Sequence, residues 1–276
     1  MKGEYYCFIN GKIIPSEQAF VHISDLGLLR SYAVFDYFRV NNGKPFMLAQ
    51  HLKRFRNSAK ELRLPFNYTD QNIKDIIEQL IEKTNKPTAG IRLVLTGGNS
   101  KNGMSIAEPN FFIAIEKLPD YPEELYREGV HLKTFEYQRE VPTVKSTQYL
   151  NAIKHEPIKK QYNVYDILYF YKDEVLEVPR NNFFIFKDDV LVTAKENVLK
   201  GITREQILKL AASDFKVEER KLLLDELSSA DEAFISGSTK KIIPVVNIDS
   251  HPIGNGCVGE NTKRLMLLFD QLINQL

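Results

Sequence analysis

The segment Leu118–Pro122 constrains the fold most, because it divides the chain into two halves. Its two prolines interrupt regular backbone hydrogen bonding, and the apolar periodicity of the preceding sequence ends there. A chain of 276 residues is long enough for one large domain or two moderate ones. The sequence therefore predicts a small N-terminal α/β domain over residues 1–118, an interdomain linker over 119–123 and a larger C-terminal domain over 124–276.

The first half mixes short strands with two helices. Asn10-Gly11, between two apolar runs, is a strong signal for a tight β-hairpin. Apolar residues recur at helical spacing over Gln50–Leu64, which predicts an amphipathic helix, and a second helix is predicted over Thr69–Lys83. Apolar runs at 91–96 and 111–115 predict strands of a buried sheet.

Short strands dominate the second half of the chain. They are predicted at 130–135, 166–171, 182–187, 190–194 and 232–236. Two helices, Thr203–Ala212 and Asn261–Gln275, interrupt them. This succession predicts an α+β fold in two lobes and not a regular βαβ alternation. Internal repeats are absent from the sequence, which excludes solenoids and propellers.

Composition and charge restrict the class of protein. The apolar fraction of 43% and the charged fraction of 26% are those of an ordinary soluble globular protein. A formal net charge of +1 argues against nucleic-acid or membrane-surface binding, and no apolar stretch approaches transmembrane length. The charged N-terminus is unlike a signal peptide, and two distant cysteines are typical of a reducing compartment, so a cytoplasmic location is expected. The five histidines show no metal-ligand spacing.

Lys145 lies in the first of four separated segments that suit one small phosphorylated ring. It follows a proline-containing loop and precedes an apolar stretch. A lysine in such a position is usually an ordinary solvated residue. An amine of lowered pKa, buried beside cations or a conjugated ring, is instead able to form a Schiff base with an aldehyde.

Glu177 lies in the second of these segments, a few residues before the strand predicted at 182–187. Most carboxylates at the end of a strand are solvated. A carboxylate that faces a pyridine nitrogen keeps the ring protonated, which makes the ring an electron sink for a carbanion at the substrate's α-carbon. Both interpretations of Glu177 are compatible with its local sequence.

The third segment is the predicted start of a helix at Gly201-Ile202-Thr203. Thr203 and Gln206 have the spacing of a capping box. The start of a helix presents unpaired N–H groups and positive dipole density, which favour a phosphate dianion. Every capped helix has these features, so the motif alone is weak.

The fourth segment carries Ser238 and Thr239 just after a predicted strand. Their hydroxyl and backbone groups suit a phosphate, although Ser-Gly-Ser is also an ordinary turn sequence. Arg54, on the first predicted helix, is either a solvated helix residue or a bidentate phosphate ligand.

With these residues in this order and spacing, the chain resembles the class IV aminotransferases. This pyridoxal-phosphate family includes D-amino-acid transaminase, branched-chain aminotransferase and aminodeoxychorismate lyase. The resemblance extends nearly from end to end, from Phe8–Gly11 to Val258–Thr262. It implies a two-lobed D-amino-acid aminotransferase-like fold, with pyridoxal 5′-phosphate between a small α/β lobe and a larger, mainly β lobe. It also implies a homodimer in which a loop of each subunit completes the other subunit's site.

The resemblance further implies a role for each predicted residue. Lys145 is implied as the Schiff-base lysine that moves a proton between the α-carbon and C4′, and Glu177 as the partner of the ring nitrogen. Leu199 is implied to pack on the ring face. The implied phosphate-binding residues are Arg54, Ile202, Thr203, Ser238 and Thr239, and Gly201 is a further predicted cofactor-binding residue.

The segment Asp25–Asp36 departs from the common family pattern. Many members have an aromatic residue in the substrate pocket where this chain has Arg30. An apolar pocket gains nothing from a guanidinium, which argues against a branched-chain substrate. Arg92 is a second candidate for the same pocket, and two arginines suit the two carboxylates of glutamate or 2-oxoglutarate. Without the resemblance, Arg30 is a surface loop residue and Arg92 a solvent-facing strand residue.

The expected reaction is the transfer of an amino group between an amino acid of the D-alanine or D-glutamate type and 2-oxoglutarate. The expected partners are these small molecules and a second copy of the chain. Branched-chain aminotransferase shares every cofactor residue and is the nearest alternative. Aminodeoxychorismate lyase, which releases pyruvate without a keto-acid acceptor, and a non-catalytic pyridoxal-phosphate-binding protein are further alternatives.

Overall fold

The structure is a computed structural model that describes residues 5–275. The chain forms two compact units. The first unit contains the described residues up to Pro119 together with Val144–Gln148. The second contains Asp120–Thr143 and Tyr149–Gln275. Each unit has its own sheet and its own apolar core.

The first unit is built on a six-stranded antiparallel sheet. Its strands are β1 (Tyr6–Ile9), β2 (Lys12–Pro15), β3 (Ala33–Asn41), β4 (Lys44–Pro45), β5 (Ala89–Thr96) and β6 (Phe111–Glu116). Their order across the sheet is β2-β1-β6-β5-β3-β4. Asn10 and Gly11 join β1 to β2 with φ angles of 44° and 92°. Both residues are therefore left-handed, as a type I′ hairpin requires, and the predicted hairpin is confirmed.

Two long helices cover one face of this sheet. The helices of the first unit are α1 (Leu26–Arg30), α2 (Leu48–Glu61) and α3 (Asp70–Thr84), with a 3₁₀ turn at Ser16–Gln18. A capping box between Thr69 and Asn72 begins α3. The apolar sides of α2 and α3 pack on the sheet in one core, which includes Phe38, Phe55 and Ile77.

The segment Val144–Gln148 belongs to the first unit because it pairs with the edge of β3. Val34 and Ser146 form an antiparallel bridge. The Phe35 N–H donates to the Lys145 carbonyl at 2.9 Å, and the Thr147 N–H donates to the Ala33 carbonyl at 3.1 Å. The sequence-based division had placed Lys145 in the C-terminal domain. In the structure Lys145 belongs to the first unit. The backbone hydrogen bonds that place it there join residues far apart in the chain, so they cannot be predicted from the local sequence.

The second unit is built on a ten-stranded mixed sheet. Its strands are β7 (Val130–Glu136), β8 (Asp166–Tyr171), β9 (Glu174–Val175), β10 (Glu177–Val178), β11 (Asn181–Lys187), β12 (Val190–Ala194), β13 (Lys216–Arg220), β14 (Glu232–Gly237), β15 (Lys241–Ile248) and β16 (His251–Pro252). The order is β13-β12-β11-β14-β15-β7-β8-β9, with β10 paired to β11 and β16 to β15. Three pairs are parallel, β12 with β13, β15 with β7 and β7 with β8.

Helices and a buried aliphatic core complete the second unit. The helices are α4 (Glu124–Arg127), α5 (Leu150–Lys154), α6 (Glu156–Tyr162), α7 (Ile202–Ala211) and α8 (Glu260–Asn274), with a 3₁₀ turn at Asp225–Ser229. The core includes Phe183, Ile185 and Ile235 from adjacent strands. Within residues 5–275, no helix is long and apolar enough to cross a membrane, and no cluster of His, Cys, Asp and Glu side chains is arranged to hold a metal ion.

The predicted α+β fold is confirmed, and most predicted elements lie within a few residues of the observed ones. The strands at 166–171 and 190–194 coincide with β8 and β12. The prediction missed β3, although it is the longest strand that the structure describes. It is buried on both faces but contains Asp36 and Arg39, so it has neither the alternation nor the apolar run by which a strand is recognised.

Candidate active site

The backbone of Lys145 is fixed by β3 and by α2. Besides accepting the bond from Phe35, Lys145 donates its own N–H to the Ser58 hydroxyl at 3.2 Å. Residues that lie opposite each other in an antiparallel pair point to the same face of the sheet. The Nζ of Lys145 accordingly lies 4.5 Å from the centre of the Phe35 ring. The strand pairing and the ring thus position this amine.

A buried ion-pair network lies on the other face of β3. Asp36 is inaccessible to solvent, and its Oδ1 is 2.7 Å from Nδ1 of His51. Arg54 donates from Nε to Oδ2 at 2.8 Å and from Nη2 to Oδ1 at 2.7 Å. Arg54 and Ser58 are one helical turn apart on α2. The same helix therefore positions the Arg54 guanidinium and holds the backbone of Lys145.

Burial and neighbouring charges set the ionisation of this network. Burial alone raises the pKa of Asp36, but the charge of Arg54 and the contacts with His51 outweigh it and hold that pKa well below its usual range. Burial lowers the pKa of His51, and the charges of Arg54 and Lys145 lower it further, against the opposing effect of Asp36. At neutral pH a charged Asp36 therefore faces a charged Arg54 and a neutral His51.

Glu177 forms the centre of a second network, in the second unit. The residue is 6% exposed, and Arg139 donates to its Oε1 from Nε at 2.9 Å and from Nη2 at 2.7 Å. The Leu199 N–H donates to Oε2 at 3.0 Å, and the Asn182 amide donates to the same oxygen at 3.4 Å. The Asn182 amide also donates to the Leu199 carbonyl at 2.7 Å. Both carboxylate oxygens and the Leu199 backbone are consequently held in place.

The start of α7 lies against this network. The helix begins at Ile202 with Gly201 as its N-cap, and no side chain caps it, so the predicted capping box between Thr203 and Gln206 is wrong. A Cβ atom on Gly201 would lie 2.2 Å from Oδ1 of Asn182, so any larger residue here would displace the Asn182 side chain. The N–H groups of the first turn, without a side-chain cap, suit a bound anion.

Ser236 extends the same row of polar side chains. Glu177 pairs with Asn182 and Asn182 pairs with Ser236 across three strands, so the three side chains lie on one face. The Ser236 hydroxyl is buried and has no hydrogen-bond partner among residues 5–275. Ser238 and Thr239 follow directly and are half-buried. The row therefore leads from the carboxylate to the predicted phosphate-binding turn.

Arg92 lies on the same face of the first sheet as Phe35. It pairs with Tyr37, which is two residues along β3 from Phe35, or about 7 Å. Its Nε and Nη2 atoms donate to the two carboxylate oxygens of Glu116 at 2.6 and 2.9 Å. Its guanidinium also lies 5.1 Å from the centre of the Tyr37 ring. The structure therefore brings Arg92 to the face on which the Lys145 amine lies.

Arg30 has different surroundings. It is exposed at the end of α1 and donates from Nη1 to the Leu29 carbonyl at 2.8 Å. A Cβ atom on Gly103 would lie 3.5 Å from its Nη2 atom, so the loop around Gly103 is next to it. Nothing in the described part of the first unit places Arg30 beside Lys145.

Three polar residues that position the predicted ones were missed from sequence, namely Asp36, Arg139 and Asn182. A signal existed for Asn182, because a two-residue turn at Pro179-Arg180 pairs it with Glu177. Asp36 is 18 residues from its partner Arg54, and Arg139 is 38 residues from Glu177. No local pattern identifies such pairs.

Comparison with known proteins determines the family. The sequence pattern of the family described as amino-transferase class IV matches residues 33–248 of the chain. The chain belongs to the class IV aminotransferases. A Methanocaldococcus jannaschii protein provisionally named branched-chain-amino-acid aminotransferase is 34% identical, over 96% of this chain and 95% of the relative. The D-alanine aminotransferase of Staphylococcus epidermidis is 30% identical, over 96% of this chain and 97% of the relative.

A solved structure supports the same assignment. The Escherichia coli branched-chain amino acid aminotransferase superposes with a TM-score of 0.91 and 26% identity, over 98% of this chain and 94% of that chain. The predicted family and fold are therefore confirmed, and the chain is an aminotransferase. Class IV aminotransferases use pyridoxal 5′-phosphate, so this is the cofactor of the chain.

The residues of the second unit fit this cofactor. The buried Ser236 hydroxyl without a protein partner among residues 5–275 and the side-chain-free position at Gly201 both lie beside Asn182. The Glu177 carboxylate, held by Arg139, is a fixed negative charge of the kind that a pyridinium N–H requires. These are the features expected of a site that binds a small polar ring and its phosphate.

Asp36→Asn is expected to lower the free energy of unfolding by about 3–5 kcal/mol, because it leaves the largely buried Arg54 charge without its carboxylate. Urea denaturation of the cofactor-free protein measures this change. Asp70→Asn is the matched control, since Asp70 pairs with the neighbouring Arg56 at the surface, and its cost is expected to be about 0–1 kcal/mol. Equal losses for the two variants would contradict the role of Asp36.

Proposed function

We propose that the chain transfers the amino group of a D-amino acid, of the alanine or glutamate type, to 2-oxoglutarate. The transaminase chemistry is supported by one observation above the others, the fixed position of the Lys145 amine against Phe35 with Arg54 one turn away on the helix that holds its backbone. Bound pyridoxal phosphate supplies an electron-withdrawing ring that stabilises negative charge at the substrate's α-carbon. The chain's own residues bind, orient and move protons.

The phosphate is proposed to bind to charges and donors that are already fixed in place. Arg54 is oriented by Asp36, and the Ile202 and Thr203 N–H groups are those of the first turn of α7. The hydroxyl groups of Ser238 and Thr239 add further donors. A helix start and a guanidinium both favour a dianion, the first through its dipole and the second through bidentate hydrogen bonding.

Glu177 is proposed to accept the hydrogen bond of the ring nitrogen. Arg139 and the Leu199 N–H hold the carboxylate in a fixed orientation. A charged carboxylate keeps the proton on the ring nitrogen and so maintains the electron demand of the ring. Leu199, whose backbone is tied to Glu177 and Asn182, is proposed to pack on the ring face.

Lys145 is proposed to be the catalytic base as well as the covalent attachment point. With the cofactor bound, the Nζ of Lys145 would hold it covalently and, when free, would move a proton between the substrate's α-carbon and C4′ of the cofactor. Its backbone is bonded to β3 and to Ser58, so only the side chain has to move during this transfer. A general base that acts at a fixed position contributes about 10²–10⁴-fold to a rate.

Lys145→Ala is expected to lower turnover by at least about a thousandfold, because it removes both the attachment point and the base. Borohydride reduction of the wild-type protein is expected to fix the cofactor to a peptide that contains Lys145, as peptide mapping would show. Lys154→Ala, at an exposed lysine on α5, is the control and should retain both properties. A label on any other peptide would remove Lys145 from the mechanism.

The binding of a dicarboxylic substrate such as glutamate or 2-oxoglutarate is supported by the two arginines. Arg30 replaces the aromatic residue of many family members, and Arg92 lies on the face of Phe35 and Lys145. A guanidinium binds a carboxylate bidentately, whereas an aliphatic side chain gains nothing from it. The likeness to a D-alanine aminotransferase supports a D-amino acid as the donor.

A branched-chain L-amino acid is the second candidate, and the surroundings of Arg92 favour it. Glu116 occupies two donors of this guanidinium, which reduces its attraction for a substrate carboxylate. The archaeal relative also bears a branched-chain name. The two candidates share the cofactor chemistry and differ only in the substrate pocket.

The kcat/KM for D-glutamate or D-alanine is expected to exceed that for L-leucine by at least about tenfold. Arg30→Leu is expected to lower kcat/KM for D-glutamate by about 10–100-fold, because it removes a charged hydrogen bond, and to leave L-leucine unaffected. Arg127→Leu is the control, because it removes an exposed arginine that is distant in sequence from Arg30. Stopped-flow half-reactions of the wild-type protein and both variants with D-glutamate and L-leucine measure these effects, and a wild-type preference for L-leucine would establish the second candidate instead.

We further propose that the chain acts as a homodimer that covers the surface around Arg30. Phe20, Ile23, Leu28 and Met104 are between 66% and 81% exposed. A surface with this many exposed apolar side chains is typical of an interaction site. The loop at Gly103 lies beside Arg30, so a second copy on this surface would meet the guanidinium. The family's shared active sites are consistent with this arrangement.

In analytical ultracentrifugation, the purified protein is expected to have twice the molar mass of one chain. Ile23→Asp with Leu28→Asp is expected to produce monomers of low activity, because two charges would be buried at the interface. Leu267→Asp is the control, since Leu267 is an equally exposed leucine on α8 of the second unit, and it should remain dimeric. A monomeric wild-type protein with full activity would exclude the dimer.

A further inference from the structure

Lys240 is a buried cation that has no part in the mechanism above. It follows Ser238 and Thr239 directly, and only 3% of the residue is exposed. Its Nζ lies 3.2 Å from Oδ1 of Asn181 and 4.0 Å from the carboxylate of Asp166. Lysine is rarely buried this completely, because desolvation of an ammonium group opposes folding.

The groups around Lys240 do not fully offset the desolvation cost of burying its ammonium group. Burial lowers the pKa of Lys240 from 10.5 to about 8, and the charges of Arg180 and Lys159 act in the same direction. Asp166 opposes them but also lies 3.8 Å from Lys159. Two tyrosines also contact Lys240: the ring centre of Tyr165 lies 4.6 Å from its Nζ, and the Tyr126 hydroxyl donates to its backbone carbonyl. A protonated Lys240 therefore reduces the stability of the fold at neutral pH, which points to another reason for its presence.

Lys240 connects the Ser238–Thr239 turn to the strand next to it. Asn181, which accepts its hydrogen bond, lies on β11, and a Cβ atom on Gly237 would be 2.6 Å from the Asn181 amide. The turn is held further by hydroxyl contacts of 3.1 Å from Tyr121 to Thr239 and from Tyr126 to the Lys240 carbonyl. The ammonium thus anchors the end of the turn to β11.

We propose that Lys240 is a positioning residue, which holds the Ser238–Thr239 turn in the shape that binds the phosphate of the cofactor. This inference depends on the phosphate-binding role proposed above for Ser238 and Thr239. Without the ammonium, Asn181 loses its link to the turn, and the two hydroxyl groups are no longer fixed before the phosphate arrives. A donor that must be ordered on binding contributes less affinity than a preorganised one.

The test compares pyridoxal phosphate with pyridoxal, which lacks the phosphate. Titration of the cofactor-free full-length chain is expected to show that Lys240→Met weakens pyridoxal phosphate binding by about 10–100-fold, the loss typical of a charged hydrogen bond. Pyridoxal should bind as it does to the wild-type protein. Lys240→Gln keeps a donor for Asn181, so its affinity for pyridoxal phosphate should lie between those of the wild-type protein and Lys240→Met. Lys241→Gln, which removes the adjacent lysine that pairs with Asp270, is the matched control and should bind both compounds normally.

Stability measurements separate positioning from a purely structural role. The unfolded state binds more protons than the folded state between about pH 8 and pH 10.5, so this lysine's contribution to stability rises with pH in that window. Lys240→Met should therefore be at least as stable as the wild-type protein at pH 7, with its advantage decreasing towards pH 10.5 in urea denaturation.

Three outcomes would overturn the proposal. Wild-type affinity for pyridoxal phosphate in both Lys240 variants would remove the positioning role. Equal weakening of both compounds, together with lower stability, would make Lys240 a structural residue only. A wild-type protein that binds pyridoxal as tightly as pyridoxal phosphate would instead refute the phosphate site itself, and with it the role of Lys240.

Discussion

The position of Lys145 depends on the backbone pairing of Val144–Gln148 with β3. This short segment is distant in sequence from the rest of the first unit, yet its hydrogen bonds to Ala33 and Phe35 make it an additional edge of the first sheet. Because antiparallel partners point to the same face, the pairing itself directs the Lys145 side chain onto Phe35. A shift of one residue would turn the amine to the opposite face, towards the core.

Two buried carboxylates, Asp36 and Glu177, each pair with an arginine. Asp36 is charged because Arg54 and His51 surround it, and it fixes Arg54 in return. Glu177 is fixed by Arg139 and by the Leu199 backbone. In both networks an arginine and a carboxylate immobilise each other, which suits a site that has to be preorganised before the cofactor binds. Buried pairs of this kind add little to net stability, so their value lies in geometry.

The residues proposed to bind the cofactor and those proposed to select the substrate lie in different structural surroundings. The groups proposed to act on the cofactor belong to strands, a helix start and a tight turn, whose backbones are fixed by regular hydrogen bonds. The two arginines proposed to select the substrate have other constraints, since Arg92 is paired with Glu116 and Arg30 is exposed at the end of a five-residue helix. The two relatives compared with this chain bear the names of aminotransferases for different amino acids, a branched-chain amino acid and D-alanine, and both resemble it over nearly its whole length.

The sequence by itself determined the α+β class, the family and the cofactor, because these depend on motifs that are local in the chain. The Asn10-Gly11 hairpin, the helix that carries Arg54 and the strands around Glu177 all follow from turn chemistry and apolar periodicity. Only the tertiary structure revealed that Lys145 joins the first unit, that Asp36 holds Arg54 and that Arg139 holds Glu177. These facts depend on contacts between residues far apart in sequence. A motif identified the buried Glu177, but the charges that compensate Glu177 and Asp36 are seen only in the folded chain.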